Sequence, residues 1–311
     1  MTSLVCLNAA DAALELAPAT GGAIASFTWR GVPVLRPTAP DMIAAGDVRR
    51  HACYPLVPYS NRIEHGRLAF DGRTHELALN FGDHPHSIHG VGWQRPWNVQ
   101  HVDASSARLA FEHRPGSGDD GEERAWPWPF RATQWFQLAP AGSDAVALRM
   151  RLTVSNLGDE TFPFGLGWHP FFACDESTTL QFSAKGVWET NDTMIPTRQV
   201  TPDGRFDFET RRAIGSTVLD NVYTGWTGKA QLKDRRAARE ITLSGDTASP
   251  FFVVYIPPHH TFLAIEPVTQ MTDAFNRAER GQADTGARRL APGESFSCTM
   301  QIVAAALRED E

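Results

Sequence analysis

The sequence predicts an all-β fold, a large antiparallel β-sandwich with few short helices. Three observations carry that reading. Apolar residues recur with period two along long stretches, a two-residue hairpin signal joins one pair of them, and the composition suits short strands linked by tight turns. In 311 residues there are 25 Gly, 21 Pro, 9 Trp and 18 Phe.

In chain order, Asp71-Gly72 separates Arg67–Phe70 from Arg73–Leu79, and both central residues of a type I′ turn need positive φ. Phe130, Ala132, Phe136 and Leu138 share one side of a strand, with Gln134 as the exception. Val146, Leu148, Met150, Leu152 and Val154 alternate with polar or small residues, as do Phe296, Cys298, Met300 and Ile302. The continuous apolar run Phe251–Ile256 fits a strand buried on both faces. Short helices are predicted at Thr210–Ser216 and Asp273–Arg280. Pro115–Arg124 reads as a long polar loop, Lys233–Glu240 as a solvated turn or hairpin, and Pro257–His260 as a turn between strands. Length alone suggests about two domains of ~150 residues. No composition break or 20–50-residue repeat supports a division, so residues 1–311 are expected to form one domain.

Charge and termini exclude several function classes. With 29 basic against 36 acidic residues the net charge is −7, and no basic stripe exists to bind nucleic acid. Met1–Leu16 lacks the basic start and apolar run of a signal peptide, and no segment approaches the ~18 apolar residues of a spanning helix. Cys6, Cys53, Cys174 and Cys298 are far apart without a C-x-x-C pair, which suits reduced thiols. A cytoplasmic protein with no membrane partner is expected.

Two titratable residues stand in unusual surroundings. His169 lies in Phe164-Gly-Leu-Gly-Trp-His-Pro-Phe-Phe172, where Pro170 holds it extended and the glycines permit close approach of a ligand or another backbone. It is open to two readings, a satisfied core histidine or a proton donor and acceptor. Glu266, in Thr261-Phe-Leu-Ala-Ile-Glu-Pro267, shares its face with Phe262 and Ala264. A carboxylate there is costly unless paired, solvated or employed, and burial strengthens it as a base. His84, His86 and His89 crowd one segment. Two on one face would suit a metal, but Pro85 and the absence of a following carboxylate favour a polar loop with one functional histidine. Arg62 and Asp220 are unremarkable alone. The tryptophans, Trp226 among them, offer flat faces suited to a sugar ring or to a core.

Four segments in order resemble the galactose mutarotase (aldose 1-epimerase) family: Asn61-Arg-Ile-Glu-His-Gly-Arg-Leu68, Ile88-His-Gly90 followed by Trp97, Gly167-Trp-His-Pro-Phe-Phe172, and Glu266-Pro-Val-Thr-Gln-Met-Thr-Asp-Ala-Phe-Asn276. The resemblance implies a β-sandwich of the galactose-mutarotase type and a reaction without metal or other cofactor, the interconversion of α and β anomers of a small-molecule aldose. It implies Glu266 as general base and His169 as general acid, with Arg62, His89 and Asp220 holding sugar oxygens. Asn61, beside Arg62, and Trp226, in the distinctive stretch Leu219–Trp226, join them as substrate-binding candidates. Two positions depart from the family pattern: Phe171 replaces the usual tyrosine after His-Pro, and Val91 the second glycine after Ile-His-Gly. Three rivals remain. A hexose-6-phosphate 1-epimerase would need several arginines converging on a dianion, with Arg49 and Arg50 as candidates, but Pro55-Leu-Val-Pro-Tyr-Ser-Asn-Arg62 resembles the unphosphorylated-sugar branch more. A silent sugar-binding protein on the same fold and a histidine-cluster metalloenzyme are the others.

Overall fold

The computed structural model describes residues 3–116, 124–258 and 261–307. The long strands stand where the alternation predicts them. Phe130–Pro140, Ala145–Asn156 and Ser295–Ala306 are hydrogen-bonded neighbours at the centre of a nine-stranded sheet. Met150 faces Phe136 on one side and Met300 on the other, so the apolar sets of three strands fall in one row. The exception at Gln134 has a reason. It is buried, and its Nε2 donates to the Gly22 carbonyl while its Oε1 accepts from the Trp168 indole N–H at 3.2 Å. Both ends of the amide are thereby matched inside the core.

A second, eight-stranded sheet includes Leu219–Thr224, Phe251–Ile256 and Phe262–Val268 as adjacent antiparallel strands. Its two faces pack differently. Phe252, Val254, Ile256, Leu263 and Ile265 join the large core that also contains Leu148, Met150, Leu152 and Ile302 of the nine-stranded sheet. Val253, Ala264 and Val268 belong to a separate apolar cluster with Tyr54, Ile88, Trp93 and Phe171. The unbroken apolar run at 251–256 thus has a face toward each cluster, as a doubly buried strand requires.

At the turns, Asp71 and Gly72 have φ of 51° and 73°, both positive as the hairpin needs. Lys229–Asp234 and Arg239–Gly245 pair across the charged connection at 235–238. Of the expected Pro257–His260 turn, residues 259–260 lie outside the described residues, as does most of the 115–124 loop.

The helix expectations divide. Ala274–Glu279 is helical. The helix predicted at Thr210–Ser216 is absent: Arg212–Ala213 pairs with Thr179 and Leu180 at the edge of the nine-stranded sheet. Seven residues nucleate a helix poorly, so an available sheet edge wins. A six-residue helix at Pro40–Ala45, with Pro40 at its start and left-handed Gly46 at its end, had not been expected. Among the described residues no helix is long and apolar enough to cross a membrane. Cys53, Cys174 and Cys298 are buried and Cys6 exposed, all unpaired.

Gly90 has φ of 71°, and a β-carbon there would run into Val57 and Pro58. It directly follows His89. Gly90→Ala is expected to lower stability in urea unfolding by about 1–3 kcal/mol, the usual cost of a non-glycine residue held in such a conformation. An unchanged midpoint and slope would contradict this.

Candidate active site

Sheet register brings the site together. Where Phe262–Val268 meets its outer neighbours, Val268 pairs with Gly167 and Ala264 pairs with Phe171. The same register carried through the interruption sets His169 opposite Glu266. No ladder pair forms there, because Pro170 has no N–H to offer and the His169 N–H goes instead to the Tyr54 carbonyl. The side chains meet in place of the backbones, with His169 Nε2 3.2 Å from Glu266 Oε1. On the other side Glu266 pairs with Val253 and Val253 with Val222, while Asp220 pairs with Tyr255 and Tyr255 with Ala264. Period two therefore turns Asp220, Tyr255 and Glu266 to one face, toward a cavity of about 400 Å³.

Glu266 is only 2% exposed, and its Oε2 has no hydrogen-bond partner among the described residues. Burial pushes its carboxyl well above the usual range; nearby Asp220 adds to this and Arg62 opposes it. His169 is also buried, its Nδ1 without a partner, and burial lowers its imidazole to about 3, with the Arg36 charge acting in the same direction. The two shifts act together toward a pair that holds one proton and carries no net charge. Its walls are aromatic. Ring centroids of Tyr54 and Phe171 stand 4.9 and 4.4 Å from that of His169.

Arg62 is clamped by all three of its nitrogens. Nη2 donates to Asp220 Oδ2 at 2.8 Å, Nη1 to Asn61 Oδ1 at 3.0 Å, and Nε faces His84 Nε2 at 3.3 Å. His89 lines the cavity beside this group. Its Nδ1 accepts the Asn61 backbone N–H at 3.0 Å, and burial holds the ring well below its usual value, so the neutral tautomer carries its proton on Nε2. Asn61 and His89 both have positive φ, 61° and 62°. Two non-glycine residues so placed side by side are an outlier of the kind found at ligand sites.

Six of the seven sequence candidates converge here: Glu266, His169, Arg62, His89, Asp220 and Asn61 all line the cavity. Trp226 does not. Its ring stacks on Phe252 at 4.5 Å, and its N–H donates to the Lys229 carbonyl. Phe252 faces the large core, so Trp226 packs on the opposite side of the sheet from Asp220. The cause is Gly225, whose φ of 63° turns the chain after Thr224 and breaks the parity that would have kept residue 226 on the Asp220 face. Trp226 is a core residue.

The crowded histidines are distributed to separate tasks. His84 meets Arg62, while His86 accepts the His65 N–H on Nδ1 and reaches the Thr193 carbonyl with Nε2. Among the described residues no group of three or more His, Cys, Asp or Glu could hold a metal ion. The cavity also contains Arg36, Tyr54, Tyr255 and His84, which sequence reasoning did not select. For Tyr255 the signal was present, because it shares a face with Val253 in an apolar run. For Arg36 no local signal exists.

The family model for aldose 1-epimerase matches residues 4–303. The uncharacterised Escherichia coli (strain K12) protein YphB is 30% identical over 293 residues, covering 91% of this chain and 92% of its own. Among solved structures, a candidate aldose 1-epimerase from Escherichia coli K12 superposes with a TM-score of 0.85 at 26% identity, covering 98% of this chain and 99% of its own. A galactose mutarotase-like protein from Clostridium acetobutylicum gives a TM-score of 0.83 at 18% identity, covering 98% and 95%. With the β architecture and the matched length, these place the chain in the aldose 1-epimerase family.

Proposed function

We propose that the protein interconverts the α and β anomers of an aldose by acid–base ring opening, with Glu266 and His169 as the proton-transfer pair. The observation that supports this best is their 3.2 Å contact in the cavity, each keeping a second polar atom unpartnered. Buried polar atoms without partners are costly, and such a cost is reasonable where a ligand supplies the missing bonds.

Burial favours the shared proton on Glu266 at rest, and the reaction starts once it has crossed the 3.2 Å contact to His169. Glu266 takes the proton of the C1 hydroxyl while His169 Nε2 gives its own to the ring oxygen O5. The C1–O5 bond breaks with its electrons leaving on O5, and C1 becomes an aldehyde. Rotation about C1–C2 offers the other carbonyl face. The O5 hydroxyl then returns its proton to His169, O5 attacks C1, and Glu266 protonates the new C1 oxygen. The pair keeps zero net charge throughout, so ring opening places no uncompensated charge in the apolar site. Arg62, fixed by Asp220, Asn61 and His84, and His89 with its Nε2 proton supply donors to sugar oxygens.

Replacing Glu266 by Gln removes the base but keeps the shape. Turnover measured by NMR anomer exchange is expected to fall by at least the ~10²–10⁴-fold of one positioned proton transfer, with sugar binding retained. The same change deletes a buried carboxylate, so the thermal midpoint is expected to hold or rise. Full activity in Glu266→Gln would remove the carboxylate from the mechanism.

The pH dependence follows from the one-proton requirement. A second proton in acid disables the base, and loss of the only proton in alkali disables the acid. Burial lowers His169 and raises Glu266, so both limbs move outward. The acid midpoint of kcat/KM is expected well below the ordinary imidazole value of about 6.5, with the plateau spanning neutrality. An acid limb centred at or above 6.5 would contradict the pairing.

A further inference from the structure

Four of the charged side chains around the cavity are arginines, in a chain whose net charge is −7. Two are compensated. Arg62 is paired with Asp220 at 2.8 Å, and Arg49 with Asp47 at 2.9 Å. Glu266 and His169 share a proton and carry no net charge between them. Arg36 and Arg50 remain without a salt bridge among the described residues, although Asp47 also lies within electrostatic range of Arg50. Around the cavity the arginines therefore outnumber the carboxylates that meet them, against the sign of the protein as a whole. A cleft of one sign concentrates ligands of the other.

Arg36 is placed like a built binding group. Its guanidinium carbon stands 4.0 Å from the ring centre of Phe171 and 4.5 Å from that of Phe262, and Nη2 donates to the His51 carbonyl at 3.2 Å. Nε and Nη1 make no hydrogen bond to the described residues, and the residue is partly buried. Burial lowers its pKa, and Arg50 adds to the shift, as expected for a desolvated cation beside a like charge. Set against two rings and held at one nitrogen, the fork is pre-organised for an anion. Besides Phe262, which precedes Glu266 by four residues on the same face, Arg36 meets Phe171, whose ring stands 4.4 Å from that of His169. The fork is thus on the His169 side of the pair, the side that faces O5, rather than against the carboxylate that must meet C1.

We propose that the substrate is an aldose bearing an anionic substituent away from C1, a carboxylate, phosphate or sulfate group, received by Arg36 and Arg50. This rests on the acid–base reading above, whose C1 position fixes which end of the sugar reaches the arginines. A neutral hexose would leave the partly buried Arg36 guanidinium unmatched in the loaded site, whereas an anion would meet it together with the exposed Arg50.

The test compares NMR anomer exchange of glucose, glucuronate, glucose 6-phosphate and glucose 6-sulfate. At least one charged sugar is expected to exceed glucose in kcat/KM by tenfold or more, with the gap shrinking as salt rises from about 20 to 200 mM. Which of the three leads identifies the anion. Arg50→Gln, at an exposed position, is expected to cut the charged-to-neutral ratio at least fivefold. Arg36→Lys, which keeps the charge but loses the fork, should cut it as well. Equal or lower kcat/KM for all three anions, or a ratio unmoved in both variants, overturns the proposal while leaving the acid–base reading intact. Calorimetric binding to Glu266→Gln separates the converse case. If no sugar is turned over by the unaltered protein but the charged ones bind tighter than glucose, the anion site stands and the acid–base reading falls.

Discussion

A carboxylate and an imidazole meet where a β-ladder is interrupted, and the rest of the site is arranged around what that meeting costs. At 3.2 Å an ion pair gains about 5 kcal/mol at an effective dielectric of 20, while taking each ion out of water costs several kcal/mol. Two desolvation penalties outweigh one attraction, and both shifts therefore favour the neutral form, with the shared proton resting on Glu266. The 3.2 Å contact gives that proton a direct path to His169, which suits the proton exchange proposed for the pair. A fully solvated pair would be locked as ions, and a drier one without a sugar would be locked as neutrals.

The neighbours tune that balance in opposite senses. Asp220 raises the Glu266 carboxyl and Arg62 lowers it, and the two are joined by their own 2.8 Å ion pair. Fixing Arg62 to Asp220 therefore limits the net field that either imposes on the reacting pair, while keeping a rigid donor at the wall. Gln134 acts from the other side of the sheet. By holding the Trp168 indole in the core, it anchors the residue next to His169 without entering the cavity.

Legibility from the sequence followed the range of the interactions. Alternation is local, so the long strands, the doubly buried run at 251–256 and the odd position of Glu266 could all be read directly. Gln134 was visible as an exception, but its purpose was not, because Gly22 and Trp168 are distant in the chain. Arg36 follows Val34 and Leu35 and looks like any strand-end arginine; only tertiary packing lays it over Phe171 and Phe262. Trp226 failed for a definable reason, since one left-handed glycine inverted the face assigned to it. The short element at 212–213 was misread because its structure comes from a sheet edge rather than from its own sequence. The family motifs supplied the roles proposed for His89 and Arg62, which no local pattern distinguishes from surface residues.

The eight-stranded sheet has consequences beyond holding the site. Along Phe251–Ile256 and Phe262–Val268, successive residues answer alternately to the large core and to the cavity. Two messages are interleaved in each strand, one for folding and one for ligand. Change at Val253, Tyr255 or Phe262 can reshape the cavity while Phe252, Val254 and Leu263 stay as they are. Such an arrangement lets a lineage alter which sugar it accepts by single steps, with the acid–base pair and the packing beneath it undisturbed.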